Sequence, residues 1–91
     1  MMHGEWEIAA MEPCRLPQKV ATGFTEAFDG MRGAQYTPVL YCGSQIVSGV
    51  NHAIICKQVL ETREPVEHIV KVVLYENLDG KFQIISIENI L

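Results

Sequence analysis

Cysteine and histidine are the side chains of this chain best suited to nucleophilic or metal chemistry: Cys14, Cys42 and Cys56, with His3, His52 and His68. A thiol beside an imidazole can form a reactive thiolate. Here, however, Cys42, Cys56, His52 and His68 all fall on even positions of strand-like segments, the parity that faces the core, so they read as packed and satisfied core groups. Three cysteines are an odd number and form no CxxC pair, which suits free thiols in a reducing compartment better than a disulfide framework or a zinc site. The amine of Met1 with His3 in third place could chelate Cu(II) or Ni(II), or be an accident of a chain terminus. Glu61, Glu64 and Glu67 cluster near a loop and read as a solvated face. With no GxSxG, HExxH or glycine-rich phosphate loop, the expectation is a protein that is not an enzyme, with no catalytic residue, no cofactor and no metal.

A different stretch stands out. In Gln45-Ile46-Val47-Ser48-Gly49 two apolar residues occupy a break between strand-like segments, where turn chemistry would place Asn, Asp, Gly or Ser. An exposed Ile or Val forgoes about 1.5–3 kcal/mol that burial would gain, and the cleft of a partner can recover it. The alternative is that the hairpin folds back and buries Val47 in its own core.

The elements that must hold this stretch are legible from periodicity. Leu16, Val20, Phe24 and Phe28 recur at i+4, and Ala21, Ala27 and Met31 complete a helical stripe. Pro17 suits the first turn of that helix, and Gly30 with Gly33 ends it. Gly23 within the helix costs about 1 kcal/mol against Ala, or marks a close crossing under a sheet. Beyond Ala34 the period becomes 2, giving strands near Gln35–Ser44, Val50–Leu60, Val66–Tyr75 and Phe82–Ile90. The breaks between them, Gln45–Gly49, Thr62–Pro65 and Asn77–Gly80, are short enough to make neighbours antiparallel. Even positions of the two middle strands carry most of the apolar area and should cover the helix. The odd face bears Asn51, Lys57, Glu67 and Lys71, but also Ile55, Val59, Ile69, Val73 and Tyr75, an apolar patch suggesting a partner or a dimer.

Composition sets the frame. A chain of 91 residues supports one domain, here 1–91, and 48% apolar with 20% charged residues is ordinary globular usage. Seven Lys and Arg against eleven Asp and Glu, a formal charge of −4, argue against nucleic acid as a partner. No apolar run approaches the roughly 20 residues that cross a bilayer, so no membrane partner is expected. Met1–Glu7 has neither a basic region nor an apolar stretch, so the cytoplasm is the expected compartment unless a signal has been removed.

The pentapeptide and its setting resemble the cystatins. Gln45-Ile46-Val47-Ser48-Gly49 matches their Gln-x-Val-x-Gly loop, and Val50-Asn51-His52 is similar to the run that follows it in the stefin branch. Gly4 lies close to the stefin spacing before that loop, and Gly4-Glu5-Trp6 resembles the Gly-Gly-Trp opening of several members. The helix, the Gln35–Ser44 strand and His68–Leu78 fall in the family's order, so the resemblance spans most of the chain.

The resemblance implies an α+β fold, one N-terminal helix packed on a four- to five-stranded antiparallel sheet. It also implies non-covalent inhibition of papain-like cysteine proteases by a wedge made of the glycine segment and two hairpin loops. The contact would comprise Gly4, Gln45, Val47 and Gly49, with Ile46, Ser48 and Leu78 in support. The second hairpin departs from the family: Asn77-Leu78-Asp79-Gly80 has no aromatic and reads as a tight Asp-Gly turn, with Leu78 its one apolar residue. This departure keeps open a second role, an interaction module that dimerises through the apolar outer face without a protease. Trp6 is either a contact anchor or a residue packed on the sheet edge. The chain is expected as a monomer or as a dimer, domain-swapped if strain held at Val47 is relieved by opening the hairpin.

Overall fold

The computed structural model describes residues 4–11, 13 and 15–91. A short strand β1 (Trp6–Ile8) precedes helix α1 (Gln18–Phe28), and four strands follow: β2 (Ala34–Val47), β3 (Gly49–Leu60), β4 (Val66–Glu76) and β5 (Phe82–Asn89). They form one antiparallel sheet in the order β1-β2-β3-β4-β5. The helix packs on one face of that sheet, an α+β arrangement.

Helix α1 begins at Gln18, two residues after its apolar stripe starts at Leu16. Pro17 lies outside the first turn, at the cap with φ −52° and ψ 140°, and its carbonyl accepts the Ala21 N–H at 2.9 Å. The helix ends at Phe28, so Met31 falls beyond it, and Gly30 at φ +78° turns the chain toward β2. Val20, Gly23 and Phe24 form its buried stripe. A Cβ on Gly23 would collide with the Phe82 ring of β5, so this glycine is the close crossing rather than a weak point.

The core is Val20 and Phe24 of the helix against Tyr41, Ile54, Cys56, Val70, Val72 and Leu74 of the sheet. The even parity of β3 and β4 holds, because the register opposes Ile54 to Val72 and Cys56 to Val70 on the same face. In β2 the parity breaks: bulges between Pro38 and Leu40 and between Tyr41 and Gly43 each insert one extra residue. Cys42 is that extra residue at the second bulge. It is half-buried beside Trp6, Ile8 and Lys71, away from the core position that alternation assigns to it.

Strand β1 has three residues and carries little pattern of its own. It pairs Trp6 with Gln45, Glu7 with Ser44 and Ile8 with Gly43. Any side chain at 43 would strike the Glu7 carbonyl, so Gly43 permits the pairing. The outer face is less apolar at its surface than alternation suggests. Val73 and Ala53 are buried, Ile55, Val59, Ile69 and Tyr75 are half-buried, and the ion pairs Lys57–Glu67 (2.6 Å) and Lys71–Glu88 (3.7 Å) stand on the same face.

Candidate functional site

The sheet brings the singled-out residues to one end. Strands β2 and β3 run past the expected break, pairing Gln45 with Asn51, Ile46 with Val50 and Val47 with Gly49, so that Ser48 alone makes the reversal. Gly49 supplies the conformation, at φ +115°, and a Cβ there would meet the Glu76 carbonyl at 2.5 Å. Because the ladder extends so far, Ile46 and Val47 are half-buried and Ser48 is exposed. The tip is neither fully displayed nor folded under the sheet. Val47 is not in a left-handed conformation; among the described residues Met11 is the non-glycine with positive φ, so Val47 carries no strain of that kind.

Two neighbours brace this hairpin. Tyr75 of β4 donates its hydroxyl to the Ser48 carbonyl, holding the tip against the next strand. On the other side Gly4 donates its N–H to the Ile46 carbonyl at 3.0 Å, and its own carbonyl accepts from Gln45 Nε2 at 2.9 Å. Asn51 Nδ2 donates to Gln45 Oε1 at 2.9 Å, which fixes the orientation of the glutamine amide.

Because Val50 opposes Glu76, the β4–β5 turn emerges at the same end of the sheet. Asn77 Oδ1 accepts the Asp79 and Lys81 N–H groups, each at 2.9 Å, and Gly80 sits at φ +80° with its N–H on the Asn77 carbonyl. The tight Asp-Gly turn read from the sequence is thus built, and Leu78 stands 83% exposed at its tip. Gly4, the 45–49 hairpin and Leu78 therefore share one edge of the molecule.

Behind this edge runs a buried polar chain. The Tyr41 hydroxyl lies 2.7 Å from His52 Nδ1, His52 Nε2 lies 3.0 Å from Glu76 Oε1, and Lys19 Nζ pairs with the other Glu76 oxygen. Burial works to raise the Glu76 carboxyl, but hydrogen bonds from Lys19 and His52, together with their charges, outweigh it and hold the group below its ordinary value. The carboxylate only accepts, so in the neutral imidazole Nε2 carries the proton and Nδ1 accepts from Tyr41. Burial is the main reason the Tyr41 phenol is raised. Both ring nitrogens of His52 have partners within the protein, which makes it the satisfied core histidine its parity suggests.

The other candidates disperse. Cys56 is buried and its thiol is pushed up to about 12, mainly by burial, so it is a poor nucleophile. His68 is half-buried rather than in the core, with Nδ1 3.1 Å from the Leu91 carbonyl. Glu61, Glu64 and Glu67 are exposed, and Glu67 pairs with Lys57. Met1, His3 and Cys14 lie outside the described residues. Among the described residues no group of three or more His, Cys, Asp or Glu could hold a metal, and no helix is long and apolar enough to cross a membrane.

Alternation flagged neither Asn51 nor Tyr75 as a brace, because each acts through a contact that only the strand register creates. Trp6 lies on the sheet edge, 41% exposed. With Ile8, Cys42, Gly43, Ala53 and Lys71 it lines an outer-face hollow of about 230 Å³. No protein-family model, curated protein or solved structure matches the chain.

Proposed function

We propose that the chain is a cystatin-like, non-covalent inhibitor of papain-like cysteine proteases. One observation carries this reading: Gly4, the Gln45–Gly49 hairpin and the Leu78 turn, far apart in sequence, meet at one end of the sheet and are braced there by hydrogen bonds. An edge of this kind suits entry into a cleft, because its backbone is already ordered and its apolar tips lose little freedom on binding. Val47 and Leu78 supply apolar contact, Gly4 and Gly49 allow close backbone approach, and Ile46 and Ser48 shape the hairpin. No covalent step is needed; the wedge excludes substrate by occupying the cleft. Titration of papain with the purified chain tests it. Progressive loss of peptidase activity by micromolar inhibitor is expected, and full activity at that concentration contradicts the proposal.

A second reading is favoured by Trp6 and Ile8, exposed by 41% and 72% beside the outer-face hollow. In this reading the same fold is an interaction module that pairs with itself through the outer face and has no protease partner. Sedimentation equilibrium at tens of micromolar would show a dimer; monomer alone contradicts it.

A further inference from the structure

We infer that Gln45 is a positioning residue rather than a protease contact: its side-chain amide latches the N-terminal segment to the hairpin, and Asn51 sets the latch. The inference rests on the inhibitor reading for its consequence, but the latch itself belongs to the free protein. Gly4 sits two residues before β1, at φ +86°, outside the regular ladder. Its N–H reaches the Ile46 carbonyl, and its carbonyl is held by Gln45 Nε2 at 2.9 Å.

The amide of Gln45 has no freedom to turn over. Asn51 Nδ2 donates to Oε1 at 2.9 Å, so flipping the amide would set nitrogen against nitrogen at Asn51 and oxygen against oxygen at Gly4. Strand β1 is only three residues long and lies at the exposed edge of the sheet, so it gives little hold on the segment ahead of it. A side chain already occupied at both ends within its own chain is poorly placed to serve as a partner's hydrogen-bond group. What it supplies is preorganisation: the glycine segment arrives at the cleft already beside the hairpin.

Exchange of the Gly4 amide, followed by NMR on the full chain, tests the latch. In Gln45→Glu a carboxylate still accepts from Asn51 but faces the Gly4 carbonyl with no proton to give. Protection at Gly4 should fall about three- to tenfold at pH 7, the size of one net hydrogen bond. It should recover below about pH 4, where the introduced acid is protonated and can donate. Glu5 and Glu7 lie in the same segment, so each pH is compared with the parent chain at that pH. Asn51→Asp, at a residue outside the proposed contact, should lower Gly4 protection in the same direction with little change in thermal unfolding.

If the inhibitor reading holds, both variants weaken papain inhibition by a similar factor. Unchanged Gly4 protection in both overturns the latch, whatever papain does. A parent chain that leaves papain active removes the inhibitor reading, and the exchange data then still decide whether Gln45 holds Gly4.

Discussion

At the scale of single residues, two side chains separate binding from support. Val47 is half-buried beside the hairpin tip, and on the inhibitor reading it would gain the rest of its burial in the protease cleft. Val47→Asp would replace that gain with a charge to be desolvated, so papain inhibition should weaken about a hundredfold or more. Midpoint temperature should move little, since no core contact is lost, and an unchanged inhibition constant would remove Val47 from the contact.

Glu76 does the opposite work. Its carboxyl ties Lys19 of the helix to His52 of β3, and its backbone passes close to Gly49. Its folded value lies below the ordinary 4.5, so the stability it contributes is complete above that pH and is lost as pH falls through the depressed value. Glu76→Gln should lower stability at pH 7 by about 1.5–3 kcal/mol, the range for a buried bond to a charged group. The gap between variant and parent should narrow below about pH 4, as urea unfolding across pH would measure. A gap independent of pH contradicts the assignment of the charge to this network.

At the scale of elements, the helix and β2 to β5 were legible because each repeats its apolar period over at least eight residues, long enough to average out local exceptions. The end of the helix and the Asn77–Gly80 turn were legible for a different reason, since glycine at positive φ marks both. Three features were not. Strand β1 is too short to show alternation and exists because Gly43 lets a neighbour approach. The two β2 bulges shift parity without altering composition, which is why Cys42 was assigned to the core. The hairpin looked like a five-residue loop, yet Gly49 allows a one-residue reversal and the ladder consumes the rest. Gly23 shows how local cost and tertiary need can be opposed. Ala there should gain up to about 1 kcal/mol of helix propensity and lose about 1–3 kcal/mol by striking Phe82, for a net loss of stability in denaturant titration. A more stable Gly23→Ala would mean that the helix does not cross β5 at this point.

At the scale of the whole molecule, the sheet is long and open. Beyond the residues covered by β1 and Ala9, the free stretch of β2 holds Pro38, which has no N–H to offer, and the first bulge, features that discourage a further strand. The helix face is closed by the core and the outer face is partly screened by ion-paired lysines. Apolar side chains are still exposed at Trp6 and Ile8 beside the outer-face hollow and at Leu78, at the end that also carries Gly4 and Ser48. The motif in the sequence pointed to this end; its bracing by Gln45, Asn51 and Tyr75 depends on strand register and so was invisible before the fold was known.

The most direct measurement is a hydrogen-exchange footprint of the full chain with and without papain. Slower exchange is expected at Gly4–Glu5, Ile46–Gly49 and Leu78–Asp79, with β3 and β4 between Ile55 and Val70 unchanged. Slowing confined to the outer strands and β1, or no slowing at saturating papain, would contradict it.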